Sequence, residues 1–370
     1  GPLLAHDLDA AAAAAELALS AAEEAGAAHV VALSLTRLAH VAGFRGDFGE
    51  QQRLAARAVA VAVADGGRET HHSSHAHLNH ALALADVDRP REGSAAVAAG
   101  RGLYERLGME ETLRNSHHYA GYPLMFAGRW EDAIAELQTA VALSEESGIS
   151  WTPDVLAALA VMLVRRDELE AARELVAAGE RAIAAGAPEF RLGWLAWAGA
   201  LVQEADGDHS GALERLWGAW TTVSAAGVLG EQRHFAPDLG RMLGDKSRLA
   251  QLADAIEALA RRNPELPAIA ALAARCRALA DGDAEALAVA AEQYPDGPRP
   301  HERALACEDA AVALVAAGQL ERGRALADAD RLERGRALAD IALETYTRLG
   351  ARREVSRADA RLRAAGLRRG

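Results

Sequence analysis

The residues best suited to chemistry are histidines. Thr70-His-His-Ser-Ser-His-Ala-His-Leu-Asn-His80 holds five of the thirteen in the chain. His71 and His75 are one helical turn apart, the spacing of a metal-ligand pair, whereas His77 and His80 share another face. His117 and His118 fall at the equivalent depth one repeat later, so His77 and His118 are expected as neighbours across the stack. No cysteine or well-placed carboxylate completes a ligand set. Three readings stay open: a weak metal pair at His71 and His75, a polar surface lining a ligand, or ordinary hydrogen-bonded histidines.

Aromatic side chains form the second constellation. Tyr119, Tyr122, Phe126 and Trp130 come close together, followed by Trp151, and then by Phe190, Trp194, Trp197, Trp217 and Trp220. Trp194 with Trp197, and Trp217 with Trp220, have the i, i+3 spacing that puts each pair on one helix face. Such pairs either pack between paired helices or line a groove. The groove reading names His77, His117, His118, Tyr119, Tyr122, Trp151, Trp194 and Trp197 as ligand-binding candidates.

Catalytic signatures are missing from the sequence. It has no Gly-x-x-x-x-Gly-Lys-Ser/Thr loop, no Gly-x-Ser-x-Gly and no His-Glu-x-x-His, and its carboxylates read as solvent-facing partners of nearby arginines. No enzyme is expected. A net charge of −13 lacks the basic footprint that duplex binding needs. The arginines that gather at the end, from Arg352 to Arg369, read as a solvated helix face. Cys276 and Cys307 read as two buried thiols of a cytoplasmic protein, and neither a signal peptide nor an apolar run of membrane length is visible.

These side chains depend on a repeated frame. A turn motif returns every 37–42 residues or about that. It appears as Phe44-Arg-Gly-Asp-Phe48, Ala127-Gly-Arg-Trp-Glu131, Val164-Arg-Arg-Asp-Glu168, Ala205-Asp-Gly-Asp208, Leu243-Gly-Asp-Lys246, Ala280-Asp-Gly-Asp283 and Ala317-Gly-Gln-Leu320. Ala85-Asp-Val-Asp88 is a looser copy without its glycine. Each copy separates two segments with helical apolar spacing, and such a unit buries its apolar stripe only by stacking on the next. The spacing predicts an all-α fold, an α-solenoid of tetratricopeptide-like pairs in a right-handed superhelix, spanning 1–370 as one domain. A first helix is expected over 8–25. Pairs follow at 27–65, 69–107, 111–147, 152–186, 188–226, 231–262, 266–293 and 299–349, and a last helix over 351–365. Leu320-Glu-Arg-Gly-Arg-Ala-Leu-Ala-Asp328 recurs unchanged as Leu332 to Asp340. Twelve residues rotate a helix by about 120° beyond whole turns, so only one copy fits the packing register. Gly1-Pro2 reads as a tag remnant, and Leu3-Leu-Ala-His-Asp7 as helix interior, which suggests a piece of a longer protein.

With its alanines and leucines at the small and apolar positions, and turns such as Gly128-Arg-Trp-Glu-Asp-Ala133, the frame resembles tetratricopeptide repeats of the longer, irregular kind. The end is more specific. Ala342-Leu-Glu-Thr-Tyr-Thr-Arg-Leu-Gly-Ala-Arg-Arg-Glu354, followed by Ala358-Asp-Ala-Arg-Leu-Arg-Ala-Ala-Gly-Leu-Arg-Arg-Gly370, resembles the sensor end of MalT-like, large ATP-binding LuxR-type transcriptional regulators. That resemblance implies a cytoplasmic regulatory superhelix whose concave face takes a small-molecule effector or a protein partner and which governs self-association. ATP would belong only to an absent upstream domain, and DNA only to an absent C-terminal helix-turn-helix domain; no cofactor is expected in this chain. The alternative is a protein–protein interaction scaffold with no small-molecule effector.

Overall fold

The structure, a computed structural model, describes residues 2–64, 71–109, 113–147, 153–320 and 325–367. Every regular element among these residues is a helix. A 3-10 turn at Pro2–Ala5 precedes α1 (Leu8–Ala25). Four pairs follow: α2 (Ala28–Arg45) with α3 (Phe48–Ala64), α4 (His71–Asp86) with α5 (Pro90–Arg106), α6 (Leu113–Phe126) with α7 (Trp130–Ser147), and α8 (Pro153–Arg165) with α9 (Leu169–Ala184). Four more are α10 (Trp194–Ala205) with α11 (His209–Ala225), α12 (Gln232–Met242) with α13 (Lys246–Arg262), α14 (Pro267–Asp281) with α15 (Ala284–Gln293), and α16 (Pro300–Leu320) with α17 (Ala325–Arg348); α18 (Arg352–Ala365) closes the series. This is the solenoid of stacked pairs that the repeat spacing predicts.

Local chemistry sets the ends. Asp7, Asp208, Asp245 and Asp283 each accept a backbone N–H from the first turn of the helix that follows, which satisfies donors with no partner inside the helix. The turn within a pair needs a left-handed residue. Gly46 and Gly128 supply it where the motif keeps its glycine, and Asp88 and Asp167, at φ 60 and 68°, take the same role where it does not. Two expectations shift. Pro2–Ala5 is a 3-10 turn and Asp7 caps α1, because Asp7 starts a helix better than it continues one. The fifth pair begins only at Trp194, after the bent loop of Phe190 and Arg191.

The first helices of the pairs are the most buried, since each has neighbours on both sides and the interior in front. All thirteen residues of α8 are buried. In the duplicated stretch, the second copy lies wholly within α17, with Leu338 and Ala339 buried and Arg334 paired to Glu285 and Glu292. It therefore holds the packing register; 321–324 of the first copy lie outside the described residues.

The solenoid winds tightly enough that the turns of its early pairs reach elements about five pairs further on. His6, ahead of α1, bonds the Glu189 carbonyl ahead of α10 at 2.9 Å. The α2–α3 turn receives Asn263, whose side chain binds Phe48 N at 3.0 Å and Gly46 O at 2.8 Å. The α4–α5 turn offers Asp88 to Arg299, and Arg299 N donates to Phe126 O at the α6–α7 turn at 2.9 Å. The α8–α9 turn gives Arg165 to Glu354 of α18 and receives Arg352 on the Arg166 carbonyl. Backbones also meet closely at Gly230, where an added Cβ would lie 2.0 Å from Gly43 O. Successive coils thus form a continuous seam.

Candidate functional site

The seam fills the interior with charge. Asp88 Oδ1 accepts from Arg233 Nη2 and Arg299 Nε, each at 2.6 Å. Burial pushes the Asp88 carboxyl up, but the two guanidinium groups outweigh it and hold it below the usual range. A second centre surrounds Arg165, which donates to Asp238 Oδ2 and Glu354 Oε1, both at 2.8 Å. Burial opposes ionisation of Asp238, yet Arg165 and Arg241 pull its carboxyl down to about 2. In a third, Arg275 pairs with Asp309 while Arg357 and Arg361 of α18 hold Glu308. The carboxylates read from the sequence as solvent-facing are therefore partly interior, and Arg357 and Arg361 point inward from a helix expected to be solvated. Coil-on-coil closure buries positions that an isolated pair would leave wet.

Several candidates meet on the inner wall between α4, α6 and α10. Tyr119 donates to Asn79 Oδ1 at 3.3 Å, and its ring lies edge-on to His75 with centroids 6.2 Å apart. His118 Nε2 bonds the Tyr122 hydroxyl at 3.1 Å, and burial lowers its imidazole to about 3, so it is neutral. Burial lifts the Tyr119 hydroxyl to about 12. Tyr122 and Trp194 are buried and stack on the Arg191 guanidinium, 4.7 and 4.9 Å from their ring centroids. Arg191 pairs with Glu231, to which Trp194 Nε1 also donates, and Trp197 Nε1 donates to Asp238 at 3.0 Å.

The other candidates lie elsewhere. His77 is half-buried beside His80, not grouped with His118, whose ring meets Tyr119 and Tyr122. His117 faces the opposite side of α6, into an outer groove of about 370 Å3 between α5 and α7. Its Nδ1 bonds Glu136 at 2.6 Å, and Arg101 shares that carboxylate at 2.7 Å. Trp151 and the His71 side chain lie outside the described residues. Among those described, no three His, Cys, Asp or Glu side chains group to hold a metal ion.

No family model matches this chain, and no curated protein matches it.

What the site can do follows from its electrostatics. Two small cavities, of about 40 and 20 Å3, adjoin the seam and share His234. Their walls combine neutral imidazoles, ion pairs and aromatic faces, a lining suited to small polar groups. Cys276 and Cys307 are free, buried thiols, raised by burial to about 12 and 11. Sequence reasoning missed Arg165, Arg191, Glu231, Arg233, His234 and Arg299. The available signals were the aspartates that replace glycine in two turn copies, and the Pro298 to Pro300 loop that aims Arg299 inward. No helix of the described residues is long and apolar enough to cross a membrane.

Proposed function

We propose that the chain is a regulatory binding scaffold, the sensor region of a cytoplasmic LuxR-type transcriptional activator, whose superhelix opens and closes in response to a small-molecule effector or a protein partner. The seam carries this reading. Coils remote in sequence are joined by desolvated ion pairs and hydrogen bonds beside apolar contacts such as Phe48 with Leu259 and Ile269, and the polar contacts between packed units are the kind that part and re-form. The Coulomb gain of a buried pair is offset largely by desolvation, so closure adds less net stability than its many bonds suggest. A ligand that prefers one state by several kcal/mol then shifts the balance. The sequence from Ala342 to Gly370 supports the activator assignment, with ATP and DNA handled by other domains. A protein–protein interaction scaffold with no small-molecule effector is the second reading; the outer groove beside His117, whose 370 Å3 is of small-ligand size, speaks for the first.

Native mass spectrometry of the purified chain, with and without a chelator, combined with small-angle scattering, tests the proposal. A retained non-protein mass whose removal expands the particle supports an effector. Capture of a partner chain alone, with no retained mass, favours the scaffold. A particle whose dimensions respond to neither removes the regulatory reading.

A further inference from the structure

The smaller cavity lies where the end of α2 and the start of α3, with α4, meet α12 and the 3-10 helix Leu229–Glu231 that precedes it. At about 20 Å3 it exceeds the 10–15 Å3, roughly, that one water needs. Four side chains lining it are each more than nine-tenths buried: His40, Gln51, Asp86 and His234. Among the described residues, no protein partner reaches Gln51 Oε1, Asp86 Oδ1 or His234 Nδ1, and His40 has only the Asn79 side chain beside one of its two ring nitrogens. Their other atoms are engaged or out of range. Gln51 Nε2 donates to Asp86 Oδ2 at 3.0 Å, which holds the two free oxygens together. His234 Nε2 stands 3.9 Å from Asp86 Oδ1, too far for a direct bond. Asn79 donates one amide hydrogen to the His75 carbonyl and accepts from Tyr119 at its oxygen, so its second hydrogen faces His40 and serves at most one ring nitrogen.

Four orphan polar atoms around one cavity are not what close packing leaves behind, because buried polar groups find partners. Burial holds the His40 imidazole down to about 3 and that of His234 below its usual range, so each ring presents one N–H and one lone pair. We infer that this cavity binds one water-sized hydrogen-bonding guest, water or ammonium, that ties α2, α3 and α4 to α12 across the seam. Two oxygens accept from the guest, and the neutral imidazoles accept or donate as their tautomers require. Phe44, Phe48 and Phe190 also line the cavity, and aromatic faces suit ammonium. Arg191, neutralised in part by Glu231, opposes a cation, so the choice between the two guests rests with experiment. The assignment is independent of the regulatory reading.

The test uses the whole chain. Thermal unfolding is compared in ammonium chloride and sodium chloride at equal ionic strength, and nuclear Overhauser contacts are sought from the Gln51 side-chain amide. Water as guest gives a long-lived water contact and equal Tm in the two salts. Ammonium as guest gives a higher Tm in ammonium chloride, a gain that Asp86→Asn abolishes. If no contact is found, the salts do not differ and His40→Phe raises Tm, the cavity is dry and the inference is overturned. His234→Phe serves as a second probe should His40→Phe fail to fold, since the Gln51 amide remains to report: lower stability with loss of the contact agrees with a guest, and higher stability does not.

Discussion

At the scale of single residues, burial and charge pairing compete, and different carboxyls resolve the contest differently. Burial wins at Asp154, Glu189 and Glu231, and at Glu231 the carboxyl is raised to about 7 despite Arg191. The folded chain therefore holds this proton more tightly than the unfolded chain, whose glutamates titrate near 4.3 or about there. The stability this group contributes is fully present below the unfolded value and is lost as pH rises through about 7. Replacing it by Glu231→Gln removes that loss, so the Tm of the variant relative to the parent climbs between the two values. Thermal melts at closely spaced pH check this, and a flat difference would sink it. Asp238 behaves oppositely, its contribution being lost only as pH falls toward about 2. None of this was legible in the sequence. Glu231 looks like any acidic residue near a glycine, and what makes it special is Arg191, brought beside it by the fold.

At the scale of elements, the legible and the illegible separate by range. Helix pairs were readable because apolar spacing, aspartate caps and left-handed turn residues all act within a few positions. The turns themselves were readable as turns but not as docking points, since their partners lie about five pairs away. Gly230 marks the difference. Its neighbours in sequence give no reason for a glycine, but the Gly43 carbonyl occupies the place a methyl group would need. Gly230→Ala must push the coils apart, and the expected outcome is a larger radius of gyration with a lower Tm. Gly218, on the exposed face of α11 with nothing near its missing Cβ, is the control. Gly218→Ala should stabilise by about 0.5–1 kcal/mol through helix propensity. Chemical denaturation and scattering on the two variants together decide the point; equal effects would contradict a seam at Gly230.

At the scale of the whole molecule, closure changes how the chain comes apart. An open solenoid unfolds piecemeal, since each unit feels only its neighbours. A seam that links the early pairs to the late ones makes distant units share one fate. The parent should melt with calorimetric and van't Hoff enthalpies in agreement. Asp88→Ala strands Arg233 and Arg299 without their shared carboxylate, at a cost of about 3–5 kcal/mol. Because it cuts a tie between coils, it should also drive the two enthalpies apart. Differential scanning calorimetry reads both effects, and a variant as cooperative as the parent would mean that the seam does not couple the units. Repeat arrays ordinarily lengthen or shorten by copying a unit, and little else changes. Here the coils mesh like gears with a fixed tooth count. A pair added between α4 and α12 would carry Gly230 past Gly43, and Arg233 past Asp88, misaligning every later engagement. The second copy of the twelve-residue duplication lies within one helix, α17, so twelve residues, about 18 Å as helix, are taken up inside one pair without adding a tooth. In this architecture growth is permitted outward from the wheel and forbidden along its rim.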